Sequence, residues 1–234
     1  VGIYLKTKKF EKNLGKMLSG MLNNMESRGP DSAGFAIYKN EGNKIYKFSL
    51  CINNLNFNIF KKELSKKIKR IKLNQISDHV ILKTEEKPKK VISIISSYFP
   101  EVSIVGYGKS IEIFKQVGNP KDVVKKFKLD SFSGTHGIGH TRMATESAIT
   151  TDGSHPYSTG EDECLVHNGS LSNHNNLRRE LTKKGNIFNS ENDTEVAAGY
   201  VSNSLSNNKS LKDTLTSGLK DLDGFYTFIT GTRK

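Results

Sequence analysis

The chain has 234 residues, 35% of them hydrophobic, and a formal net charge of +12. That length suits one sizeable domain or two small ones with a substantial core, and the apolar fraction excludes a disordered polyelectrolyte. No apolar run approaches the roughly 18 residues of a membrane span. The apolar stretch at the start is too short for a secretory signal, so a cytoplasmic protein with no membrane partner is expected.

Residues 1–5 are apolar and β-prone and predict an opening strand. Leu14, Met17, Leu18, Met21, Leu22 and Met25 recur at spacings of three and four, which predicts an amphipathic helix. Arg28–Gly34 reads as a turn, Phe35–Tyr38 as a strand, and Ile45–Ile52 as its hairpin partner across Lys39–Gly42. Residues 56–72 read as a very basic helix, and His79–Lys83 as a strand. Val91–Ile95 is apolar and β-branched, which predicts a further strand. Val102–Val105 and Ile111–Val117 read as strands, and Asn119-Pro120 opens a helix to about Phe127. Gly137–Arg142 reads as a strand running into a loop. Cys164–His167 reads as a short buried strand ending at a turn, Asn168-Gly169. Helices are predicted over Asn175–Lys184, Asp193–Leu205 and Leu211–Leu222, and a last strand over Phe225–Thr230. Strands in runs and then helices in runs predict a layered α+β fold.

The positive charge raises the question of nucleic acid. Six of the 36 basic residues are Arg (Arg28, Arg70, Arg142, Arg178, Arg179 and Arg233) and the rest are Lys spread along the chain. Together with the abundant Asn and Ile this reads as compositional bias and solvated lysine faces. No nucleic-acid partner is expected. The two cysteines, Cys51 and Cys164, are far apart and read as packing residues. Cys164-x-x-His167 has one metal-like spacing but no second pair. His140, His155 and His167 match no common ligand spacing and read as structural hydrogen-bonding groups. Neither a metal nor a cofactor is expected.

Four clusters carry chemistry: Arg28–Gly34, Gly139–Thr145, His167–Asn173 and Asn192–Glu195. Each falls at a strand end or turn, where functional groups gather. Taken singly they are ordinary. Arg142 reads as a salt-bridge partner, Asn168-Gly169 as a turn and Asp193 as a helix N-cap, while Thr145 and Arg28 read as loop residues. Arg-Gly-Pro-Asp-Ser-Ala-Gly, Gly-His-Thr-Arg-Met-Ala-Thr, His-Pro-Tyr, His-Asn-Gly-Ser-Leu-Ser-Asn and Asn-Asp-Thr-Glu, in that order, resemble the class II glutamine amidotransferases. These are N-terminal-nucleophile enzymes. The run Gly-His-Thr-Arg-Met-Ala-Thr-Glu-Ser is most similar to the glutamate-synthase-like branch, especially the amidotransferase subunit of N-methylglutamate synthase. The resemblance covers almost the whole chain and is weakest over residues 53–118.

The resemblance implies a four-layer αββα sandwich and hydrolysis of glutamine, with ammonia passed to a synthase subunit. It implies that Arg142, Thr145 and Asp193 bind substrate, that Asn168 and Gly169 form an oxyanion hole, and that Arg28 supports the nucleophile's surroundings. The chemistry fits these residue types. Glutamine's head group is a zwitterion, which Arg142 can meet with a planar fork and Asp193 with an acceptor for the ammonium.

The family's nucleophile is an N-terminal cysteine, whereas residue 1 is Val. Two registers are open. Val1-Gly2-Ile3 replaces the family's opening Cys-Gly-Ile, giving an inactive glutamine-binding regulatory subunit. Alternatively, Val1-Gly2 follows a Cys-Gly-Ile outside this sequence, which would then be truncated at both ends. The second is the expectation, because Val-Gly-Ile-Tyr-Leu continues the family's first strand.

Overall fold

The computed structural model describes residues 1–144 and 148–233. One four-stranded sheet runs in the order β1 (Gly2–Tyr4), β8 (His136–Arg142), β2 (Ser32–Tyr38) and β7 (Ile111–Val117). A second runs β4 (Lys72–Ile76), β5 (His79–Thr84), β3 (Tyr46–Cys51) and β6 (Ser103–Gly108). The strands β9 (Glu163–Leu171) and β10 (Gly224–Thr232) form a long antiparallel pair. Every pairing between these named strands is antiparallel.

Alternation along β2 sets the layers. Successive side chains of a strand point to opposite faces. Ala33, Phe35 and Ile37 meet Leu14, Leu18 and Leu22 of α1 (Leu14–Asn23) and Val123 and Val124 of α4 (Pro120–Lys126). The leucines repeat every four residues and are fully buried, each stabilising the fold by about 1.5–3 kcal/mol. Ala36 and Tyr38 face the other way, and with Ile111, Ile113 and Ile138 they meet Cys164 and Val166 of β9 and Ile229 of β10. Beyond that pair, α6 (Asp193–Ser206) and α7 (Leu211–Asp221) close the outer side, through Ala197, Ala198 and Val201 of α6 and Leu222 just after α7. The order helix, sheet, sheet, helix is the expected α+β sandwich. The second sheet carries its own helices, α2 (Phe57–Lys67) and α3 (Pro88–Tyr98), over a separate apolar cluster. The remaining helix, α5 (His174–Lys183), packs beside α6.

Four local expectations are corrected. The strand β3 is not the hairpin partner of β2. Both edges of β2 are taken by β7 and β8, and β3 pairs with β5 and β6 instead. Residues 91–95 are helical, since Pro88 opens α3 and Val91 and Ile95 bury one helical face a turn apart. The basic helix stops at Lys67, and β4 follows from Lys72. Asn168-Gly169 is no turn, because β9 runs through it to Leu171 with Gly169 at φ 131°. Cys51 and Cys164 are free and buried, as packing residues should be.

Candidate active site

The register of β2 on β8 brings the first two motifs together. Ser32 lies opposite Arg142 and Gly34 opposite His140. By strand parity these four share the face of Ala36 and Ile138, the one turned toward β9. Asp31 then fixes the loop after Arg142. Its N–H donates to the Arg142 carbonyl at 3.1 Å, and its carboxylate accepts the Ala144 N–H at 2.8 Å. Gly29 is pressed on the same strand, where an added Cβ would stand 2.3 Å from the Thr141 carbonyl. Arg142 is buried, and one guanidinium nitrogen donates to the Ala148 carbonyl at 3.5 Å. Arg28 lies beside it in the chain fold, but its side chain is exposed. Thr145 falls outside the described residues.

The other two motifs meet across β9 and the start of α6. Asn192, not Asp193, is the N-cap, accepting the Thr194 N–H at 2.8 Å. Asp193 is thereby released from capping. One of its oxygens accepts the Leu171 N–H at 2.9 Å, and the other lies 3.5 Å from His167 Nδ1. Burial pushes this carboxyl up, but the hydrogen bonds from His167 and Leu171 outweigh it and hold it below its ordinary value. Asn168 and Gly169, three and two residues before Leu171, are exposed. A Cβ at Gly169 would stand 1.9 Å from the Phe225 carbonyl, so only glycine fits.

The His-Pro-Tyr segment joins the two halves. The His155 ring stacks on His140 with centroids 4.1 Å apart and contacts Thr194 Oγ1 through Nε2 at 3.4 Å. Gly34 makes room for it, since a Cβ there would lie 2.2 Å from the His155 carbonyl. Lys115, opposite Gly34, donates to the Asp152 and Ser154 carbonyls at 3.0 and 2.9 Å. Burial pushes that ammonium down to about 8. Burial likewise pushes His140 down to about 4 and His155 well below the ordinary imidazole range. Both rings are therefore neutral near pH 7, so the positive charge on this face comes from Arg142 and from Lys115, whose ammonium is still mostly protonated there.

Sequence spacing did not reveal this histidine cluster, because its members are 12 or more residues apart and meet only through β8, β9 and α6. Glu195, the last residue of the Asn192–Glu195 cluster, holds the Asn189 and Ser190 N–H groups with its carboxylate at 2.8 Å and so shapes the approach to α6. Near metal-ligand spacing, one atom each of Cys51, Asp78 and His79 lie within 4.8 Å of one another. There Asp78 is already held by Gln116 and by Lys126, a cation that would compete with a metal ion.

The alternation of β1 bears on the first residue. Val1, Ile3 and Leu5 pack into the cluster beneath α1, on the face away from Arg142 and His140. The Val1 nitrogen donates to the Gly139 carbonyl at 2.8 Å, so the ladder with β8 includes this residue.

The glutamine amidotransferase domain family matches residues 130–229. The glutamine amidotransferase-like protein GlxB of Rhizobium meliloti (strain 1021) is 48% identical over 236 residues, covering 100% of this chain and 78% of the relative. A glutamine–fructose-6-phosphate aminotransferase of Idiomarina loihiensis is 36% identical over 118 residues, 50% of this chain and 19% of that protein. The solved structure of glutamine phosphoribosylpyrophosphate amidotransferase from B. subtilis superposes with a TM-score of 0.58 at 19% identity, over 99% of this chain and 34% of that one, and bears on the fold alone. By its fold, its ordered motifs and its relatives, this chain belongs to the class II glutamine amidotransferases.

Proposed function

We propose that the protein hydrolyses glutamine to glutamate and ammonia and delivers the ammonia to a synthase partner in the cytoplasm. The observation that carries this reading is the Leu171–Asp193 hydrogen bond, which ties β9, the strand that bears Asn168-Gly169 in the layer facing Arg142, to an acidic group at the start of α6. Arg142 takes the α-carboxylate of glutamine and Asp193 its α-ammonium. The Asn168 side-chain amide and the Gly169 N–H receive the oxyanion, each good donor being worth about 3–4 kcal/mol. Thr145 completes the pocket and Arg28 supports it. A cysteine thiol gives its proton to a free α-amine and attacks the amide carbon; the C–N bond then breaks, the protonated nitrogen leaves as ammonia, and water hydrolyses the resulting thioester to glutamate and the free thiol.

We place that cysteine upstream of Val1. A cysteine replacing Val1 would point into the leucine cluster under α1. Continuing β1 back along β8 from the pair Gly2–Ile138, the third residue before Val1 falls opposite Arg142 and on its face. This is the position that Cys-Gly-Ile would give the thiol. The same parity weighs against a purely regulatory glutamine-binding subunit. The run from Gly139 to Ser147 supports a partner of the N-methylglutamate synthase type. No helix among the described residues is long and apolar enough to cross a membrane.

The test is a glutaminase assay of the whole gene product, alone and with its partner, together with mass spectrometry of the mature N-terminus. Glutamate release and an N-terminal cysteine are expected. Absence of glutamine hydrolysis under both conditions overturns the reading.

A further inference from the structure

A directed hydrogen-bond chain runs through the buried residues between the two halves of the site. The His167 backbone N–H donates to His155 Nδ1 at 3.4 Å. An amide N–H can only donate, so Nδ1 carries no proton, and the neutral ring keeps its proton on Nε2. That N–H points to Thr194 Oγ1 at 3.4 Å. The Thr194 hydroxyl has one proton of its own to pass on. It lies 3.0 Å from His167 Nδ1 and 3.4 Å from Asp193 Oδ1.

The choice between those two is decided at His167. Its Nδ1 also stands 3.5 Å from Asp193 Oδ1, where an unprotonated nitrogen would face the carboxylate lone pair against lone pair. Its Nε2 is buried with no hydrogen-bond partner among the described residues, so a proton there would be a stranded donor. Protonation at Nδ1 removes both penalties. The Thr194 hydroxyl then accepts from the imidazoles and donates to Asp193.

We propose that His155 is a positioning residue that acts through Thr194 to fix the Asp193 carboxylate as the acceptor for the substrate's ammonium. This rests on the glutamine reading above, in which Asp193 has that role. His155 reaches Asp193 by way of the Thr194 hydroxyl. Its Nε2 proton orients the hydroxyl, and the hydroxyl orients the carboxylate. Loss of the chain should weaken glutamine capture more than the chemical step.

Conservative variants separate this role from simple wedging between layers. A Gln amide nitrogen reaches the place of imidazole Nε2, whereas Asn reaches only the place of Nδ1. In the whole gene product with its partner, H155N and T194V are expected to raise KM for glutamine by about tenfold, with a much smaller change in kcat. H155Q is expected to restore KM to within about threefold of the parent. In ¹⁵N NMR of the histidine-labelled parent, His155 is expected as the Nε2–H tautomer. The proposal is overturned by an active parent whose T194V and H155N variants keep the parental KM, by H155Q failing as badly as H155N, or by the Nδ1–H tautomer. A parent that neither hydrolyses nor binds glutamine sinks the glutamine reading itself, and this proposal with it.

Discussion

The Leu171 N–H donates to the Asp193 carboxylate at 2.9 Å, joining a strand to the first residue of a helix 22 positions away. The same carboxylate has Thr194 and His167 at its other oxygen. Asn can still accept from Leu171, so D193N should fold normally yet lack the charge proposed to hold the substrate's ammonium. Its KM for glutamine should rise by about tenfold or more, read by steady-state kinetics, while circular dichroism stays unchanged.

Arg142 supplies a planar, permanent cation in a nearly buried setting. R142K keeps the charge and loses the fork, and should raise KM by about tenfold. R142Q should raise it by about a hundredfold. Equal kinetics for R142K and the parent would remove the bidentate role.

Gly169 sits in β9 at φ 131°, with the Phe225 carbonyl where a side chain would go. G169A should lower stability by about 3 kcal/mol in urea unfolding, through backbone strain and displacement of β10. Gly185, in the loop after α5, also has positive φ, but nothing stands within 4 Å of its would-be Cβ. G185A should therefore cost markedly less, which makes it the control.

Glu163, at the other end of β9, is buried, and burial pushes its carboxyl up to about 8, with the Thr159 and Gly160 N–H groups pulling the other way. Its folded value lies above the ordinary 4.5. The resulting stability is full below about pH 4.5 and is lost as pH rises toward 8. E163Q should match the parent at pH 4 and exceed it by about 2 kcal/mol at pH 8, measured by denaturant unfolding at each pH.

Much of this was legible in the residues, and the failures are instructive. The leucine stripe of α1 and the Asn119-Pro120 start of α4 follow local rules and were read as they stand. Val91–Ile95 misled because β-branched residues favour strands, while the decisive signals were Pro88 and the four-residue interval between Val91 and Ile95. Ile45–Ile52 misled because a plausible turn says nothing about which sheet the next strand joins. At the site, the ordered motifs single out Arg142, Asn168, Gly169 and Asp193 as a set of candidates. Their spatial linkage through His155 was invisible, because no local spacing encodes a ring stack between residues 140 and 155 or a contact from 155 to 194. Asn192 displaced Asp193 as the cap, a swap that only the hydrogen-bond geometry reveals.

The candidate residues are divided between two sheets that face each other, Arg142 on one and Asn168-Gly169 on the other. Neither sheet alone carries both sets of candidate groups. During refolding, backbone structure in each sheet can therefore form before any capacity to hold glutamine exists. Ligand capture becomes a clock for the docking of the layers. Stopped-flow far-ultraviolet signals should run ahead of the recovery of glutamine binding, and the lag between them measures how long the two halves wait to meet.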